Sequence, residues 1–134
     1  MSRLQPILLI EDDLVDIMTV RRGFKEIGVL NTLIATHDGE EALDYLNSPV
    51  EGLPCVILLD INMPKMNGHE FLALLNKNTV FKNIPIIMLT SSKEQQDVDN
   101  SFESGISGYV LKPVDYQQFL SSIQVLSPYW TLKG

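Results

Sequence analysis

Cys55-Val56-Ile57-Leu58-Leu59-Asp60 runs five apolar residues without a break and then stops at an acid. A half-exposed strand would alternate apolar and polar side chains. This one does not, so both of its faces must be covered, as in strands of parallel sheets. Pro49 and Gly52-Leu53-Pro54 punctuate the loop before it. Upstream, Ile7-Leu8-Leu9-Ile10 is a second all-apolar run, and Leu33-Ile34-Ala35 is a weaker strand candidate. Downstream, Ile84 to Leu89 and Tyr109-Val110-Leu111 complete the set. Pro85 sits at the start of its strand, where a missing N–H does least harm.

Helical spacing fills the intervals. Over residues 14 to 27, Leu14, Ile17, Val20, Phe24 and Ile27 fall on one face, and Gly28 can end the helix. Asp38 reads as an N-cap with Glu41 at N3, followed by Ala42, Leu43 and Leu46. Asn67 with Glu70 opens a helix carrying Phe71, Leu72 and Leu75. Ser92 with Gln95 opens one carrying Val98 and Phe102, and Asp115 with Gln118 opens the last, carrying Phe119, Ile123 and Leu126. Strands and helices thus alternate five times, which predicts an α/β fold: a single-domain, doubly wound (βα)5 parallel sheet with helices on both faces.

Composition sets the bounds. The chain has 134 residues, 45% of them hydrophobic and 20% charged, which describes one globular domain. Lys and Arg number 10 against 17 Asp and Glu, a net charge of −7 that argues against binding nucleic acid or an anionic membrane. No apolar run approaches the roughly 20 residues of a membrane span. Met1-Ser2-Arg3-Leu4-Gln5-Pro6 is too short and polar for a secretion signal. A lone Cys55 in an apolar run predicts a buried thiol and a reducing compartment. A cytoplasmic location is expected.

The chemistry gathers where strands end, since open parallel sheets bind ligands beyond the carboxyl ends of their strands. The first strand ends in Glu11-Asp12-Asp13, the third in Asp60, the fourth in Thr90-Ser91 and the fifth in Lys112-Pro113. Carboxylates this close repel unless a cation or proton intervenes. Hard oxygen donors with no His or Cys among them favour Mg²⁺ over zinc. A lysine can offset a phosphate, a threonine hydroxyl can donate to it, and a carboxylate can itself act as nucleophile. The set suggests phosphoryl transfer to an aspartate.

Ile-Glu-Asp-Asp (10–13), Leu-Leu-Asp-Ile-Asn-Met-Pro-Lys-Met-Asn-Gly (58–68), Leu-Thr-Ser (89–91) and Tyr-Val-Leu-Lys-Pro (109–113) occur in that order. Together they resemble the receiver domain of two-component response regulators. The chain looks most like stand-alone receivers that partner phytochrome-type sensor histidine kinases, through Asp-Ile-Asn-Met-Pro-Lys, the loop before Cys55 and the aromatic Tyr129-Trp130. The resemblance implies a flavodoxin-like strand order 2-1-3-4-5 and one receiver domain over 1–134, with a short C-terminal extension over 128–134. Asp60 matches the aspartate phosphorylated by a histidine kinase. Asp12 and Glu11 match the acidic pair that binds Mg²⁺, Asp12 directly and Glu11 through water. The backbone carbonyl of Asn62 would be a third protein ligand beside Asp60. Thr90 matches the switch hydroxyl, Lys112 the lysine that pairs with a phosphoryl oxygen, and Tyr109 the switch aromatic. The Lys112-Pro113 bond is expected to be cis. Phosphorylation would then bias a surface of fourth helix, fifth strand and fifth helix. The signal would leave by contact with a downstream protein, by a changed oligomer such as a homodimer, or by passing the phosphoryl group onward in a phosphorelay. Asn67 and Ile106 depart from the common family pattern, Ile106 by standing where a small residue is usual.

Each residue alone has a plainer reading. Glu11-Asp12-Asp13 could only open a helix, Asp60 only make a turn, and Lys112 only meet solvent. Their joint placement at one sheet edge outweighs these readings. Asp13 is read as a helix opener, His37 and His69 as surface residues, and Met63 and Met66 as loop packing. Tyr129-Trp130 either covers the core or joins an interface. A calcium loop is excluded by Pro64 at a ligand position. An aspartate-nucleophile phosphatase needs a second acid where Asn62 stands. A flavodoxin-like cofactor binder needs a glycine- and hydroxyl-rich loop where Glu11-Asp12-Asp13 stands. A phosphotransfer intermediate and an unphosphorylated interaction module remain as alternative functions on the same fold.

Overall fold

All four residues of Ile7–Ile10 are fully buried, so the first strand is covered on both faces as its unbroken apolar run requires. A computed structural model describes residues 4–60, 68–90, 105–111 and 116–131. In chain order these form β1 (Ile7–Ile10), α1 (Leu14–Ile27), β2 (Leu33–Thr36), α2 (Gly39–Asn47), β3 (Val56–Asp60), α3 (Gly68–Asn76), β4 (Ile86–Thr90), β5 (Gly108–Leu111) and α4 (Tyr116–Val125). Short 3₁₀ turns at Phe81–Asn83 and Ser127–Tyr129 precede β4 and follow α4. The five strands make one sheet in the order β2-β1-β3-β4-β5, and every pairing is parallel. The expected fold and strand order are therefore those observed.

Alternation within each strand divides the core in two. Leu8, Ile10, Ile57, Leu59 and Met88 point to a layer closed by Ala42 and Leu46 of α2 and by Phe71, Leu72 and Leu75 of α3. Ile7, Leu9, Val56, Leu58, Ile87 and Val110 point to the opposite layer. That layer is closed by Ile17, Val20 and Phe24 of α1 and by Phe119 and Ile123 of α4. Burying each such Leu, Ile or Phe contributes roughly 1.5–3 kcal/mol, which is why the short strands hold. Ile106 joins the first layer, and the N–H of Ser107 donates to the Ile86 carbonyl at 2.7 Å, so the bulk at 106 is accommodated.

Four expectations are corrected. Leu14 is 67% exposed at the first residue of α1, and the buried stripe begins at Ile17. The fourth strand starts at Ile86, not Ile84, because the 3₁₀ turn over Phe81–Asn83 occupies the approach. Cys55 is half-buried, since it stands one residue before β3, where its N–H donates to the Pro6 carbonyl at 2.9 Å. Burial still pushes its thiol pKa up. His69 is half-buried in the first turn of α3. The helix expected around Val98 and Phe102 lies outside the described residues, as do Ser92, Gln95, Asn67, Met63, Met66, Asp115 and the Lys112-Pro113 bond. No helix among the described residues is long and apolar enough to cross a membrane.

Candidate functional site

Three acids meet where β1 and β3 leave the sheet. The register pairs Ile10 with Leu59, so the next residues, Glu11 and Asp60, emerge side by side. Asp60 is the last residue of β3 and 2% exposed; Glu11 is completely buried; Asp12 is exposed. One carboxylate oxygen from each of Glu11, Asp12 and Asp60 lies within 4.8 Å of the others.

Local structure holds this arrangement. The Glu11 N–H donates to the Thr36 carbonyl at 2.9 Å, continuing the β1–β2 ladder by one rung. The Asp13 N–H donates to Glu11 Oε1 at 3.2 Å. Asp13 is the N-cap of α1, its Oδ1 accepting from the N–H groups of Val15 at 2.8 Å and Asp16 at 3.2 Å. It opens the helix, as its position suggested, and so lies beside the cluster without belonging to it. Two unit charges at about 5 Å repel by roughly 3 kcal/mol at an effective dielectric of about 20. A bound cation relieves that repulsion. The donors are all carboxylate oxygens, two of them held in buried positions, which suits a hard divalent ion such as Mg²⁺ or Mn²⁺.

Thr90 ends β4 next to Leu89, which pairs with Asp60, so its backbone reaches the same edge. The Thr90 side chain lies outside the described atoms. Thr90 pairs with Leu111, the last described residue of β5. Lys112 and Asn62 lie outside the described residues. Tyr109 is in β5 opposite Met88, with its side chain exposed. His37 is exposed at the end of β2, with Nδ1 at 3.2 Å from Glu41 Oε2 one helical turn on.

Two features escaped the sequence reading. Leu14, Val15 and Met18 form an exposed apolar patch at the start of α1, after Asp12 and the cap Asp13. Their signal was present, because Val15 and Met18 fall off the Ile17–Val20–Phe24 stripe and so face outward. Thr36 is buried at the end of β2, its Oγ1 donating to the Leu9 carbonyl at 2.9 Å. In the sequence it is only the polar residue after a weak strand.

The response regulator receiver domain family matches residues 7–124. The response regulator Rcp1 of Synechocystis is 34% identical over 131 residues, which span 92% of this chain and 87% of Rcp1. FilR2 of Methanothrix harundinacea, a probable methanogenesis regulatory protein, is 31% identical over 127 residues, covering 92% of this chain and 82% of FilR2. The solved bacteriophytochrome response regulator RtBRR superposes with a TM-score of 0.81 at 42% identity, covering 98% of this chain and 82% of RtBRR. The Mn²⁺-bound form of Rcp1 superposes with a TM-score of 0.82 at 31% identity, covering 97% and 99%.

Proposed function

The chain belongs to the response regulator receiver family, and on that premise we propose that Asp60 accepts a phosphoryl group from a sensor histidine kinase. The supporting observation is the convergence of Glu11, Asp12 and Asp60 within 4.8 Å at the carboxyl edge of the sheet. Members of this family act in two-component signalling and are typically phosphorylated on an aspartate.

The reaction is a transfer from phosphohistidine. A carboxylate oxygen of Asp60 attacks phosphorus, a P–O bond forms, the P–N bond to histidine breaks, and the electron pair leaves with the imidazole. Asp60 is suited to this because β3 delivers it, buried and in extended backbone, to the mouth of the sheet. Glu11 and Asp12, with Asp60 and the Asn62 carbonyl, would hold Mg²⁺. The ion, when bound, neutralises charge on the transferring group. The Lys112 ammonium would pair with a phosphoryl oxygen, and the Thr90 hydroxyl would donate to another. Tyr109, exposed in β5, would turn inward as Thr90 engages. The Leu14-Val15-Met18 patch flanks Asp12 and would receive an apolar helix face of the phosphodonor. The bacteriophytochrome regulator RtBRR among the similar structures supports a phytochrome-type kinase as that donor.

Intact mass after incubation with acetyl phosphate tests the acceptor. Wild type gains one phosphoryl group only with Mg²⁺, and Asp60→Asn gains none. Labelling of Asp60→Asn to the wild-type extent would overturn the assignment.

A further inference from the structure

We propose that Thr36 is a positioning residue for the acid cluster: it fixes the height at which Glu11 leaves the sheet, and through Glu11 the site's affinity for a divalent cation. The inference rests on the reading of Glu11, Asp12 and Asp60 as a cation site.

The geometry that carries it is a two-sided hold. Thr36 is the last residue of β2 and is only 4% exposed. Within the register it stands opposite Ile10. Its carbonyl accepts from the Glu11 N–H at 2.9 Å, and its Oγ1 donates to the Leu9 carbonyl at 2.9 Å. One residue thus grips β1 on both sides of Ile10. That grip matters because β2 is the edge strand, paired with β1 alone. The final residue of an edge strand has no neighbour on its outer side and is prone to fray. The hydroxyl adds a bond that the ladder lacks and keeps the Thr36 carbonyl facing the Glu11 N–H. On its other side, Glu11 is held by the Asp13 N–H at Oε1. Release of the Thr36 hold would let the Glu11 backbone shift while Asp13 still tethers its carboxylate, so the three oxygens would lose their common centre.

Thr36→Val tests this, because valine keeps the branched shape and the strand propensity and removes only the hydroxyl. The readout is Mn²⁺ binding by paramagnetic resonance titration of the full chain, alongside thermal melts and Thr36→Ser. The expected result is an Mn²⁺ dissociation constant about ten-fold weaker in Thr36→Val, the usual scale for loss of an outer hydrogen bond at a metal site. Thr36→Ser, which retains the hydroxyl, is expected to stay within about two-fold of wild type on the same scale. A merely structural role would move the melting temperature and leave the dissociation constant of the folded protein unchanged, and that outcome would overturn the proposal. Weakening in Thr36→Ser without weakening in Thr36→Val would overturn it as well, since the methyl packing and not the hydroxyl would then be responsible. Thr36→Ala serves as the parallel hydroxyl-free variant if Thr36→Val does not fold. Failure of the underlying site is recognised separately: wild type would show no Mn²⁺ site that Glu11→Gln or Asp60→Asn removes, and the proposal would fall with it.

Discussion

Gly28 shows how one residue can be demanded by backbone geometry alone. It follows α1 with φ of 83°, in the left-handed region where a side chain is strained. Its N–H donates to the Lys25 carbonyl at 3.2 Å, and the next N–H, of Val29, donates to the Phe24 carbonyl at 2.9 Å. These bonds satisfy carbonyls that the helix end would otherwise leave bare. Gly28→Ala is therefore expected to cost about 1 kcal/mol. A urea titration checks this, and an unchanged midpoint would mean that the turn relaxes without strain. Gly28, Asp13 and Asp60 could all be read in the sequence because each role follows from local chemistry: a left-handed stop, a helix cap, an acid closing an apolar strand. Leu14, Cys55 and Thr36 could not. Leu14 fits the helical stripe by spacing, but it is the first residue of α1 and is exposed. The burial of Thr36 depends on a neighbour 27 positions away in the chain.

Elements were legible wherever their pattern was self-contained. The apolar strands, the Asp38 cap of α2 and the buried Phe71, Leu72 and Leu75 stripe of α3 stand where spacing put them. The β4 boundary shifted because a local turn at Asn78 leads into the 3₁₀ turn, the Asn78 Oδ1 accepting from the N–H groups of Val80 at 2.8 Å and Phe81 at 2.9 Å. The contact between α1 and α4 was invisible, since it joins segments some ninety residues apart. There, Tyr116 donates its hydroxyl to Glu26 Oε2 at 2.5 Å, with the Arg22 guanidinium 4.2 Å from the ring centre. Deeper in, Gly23 is buried, and a Cβ built on it would lie 2.7 Å from Phe119 Cε2 and 3.1 Å from Ile123 Cδ1. Alanine would gain up to about 1 kcal/mol of helix propensity at Gly23. Overpacking against a buried ring costs typically 1–3 kcal/mol, so the clash should win. Gly23→Ala is expected to lower the urea midpoint with an unchanged denaturant slope. A raised midpoint would show that the Phe119 ring has room to move.

At the scale of the whole molecule, two opposite ends of one sheet carry different duties. The acids occupy the carboxyl edge. The amino edge is closed by the segment after α4, which the sequence left open between core and interface. Trp130 is 7% exposed and packs its ring 4.9 Å from that of Phe24, so it covers the core. Asn31 secures this closure: its Nδ2 donates to the Gln5 carbonyl at 2.7 Å, and its Oδ1 accepts from the Thr131 N–H at 2.6 Å. The Leu30 N–H adds a bond to the Thr131 carbonyl at 2.7 Å. Truncating a buried tryptophan costs about 3–5 kcal/mol, a large share of the 5–15 kcal/mol typical of a domain. Trp130→Phe should cost less. It keeps an aromatic ring against Phe24 and removes an indole N–H that has no hydrogen-bond partner among the described residues. Glu11 and Asp60 follow the carboxyl ends of β1 and β3 while this segment ties to Gln5 before β1, and effects at separated sites add without coupling. Trp130→Ala should therefore sharply lower the urea midpoint and leave Mg²⁺-dependent labelling by acetyl phosphate at the wild-type rate wherever circular dichroism shows native protein. Slow labelling of fully native Trp130→Ala would mean that the two edges are energetically linked through α1, which begins beside Asp12 and carries Phe24 to the far end.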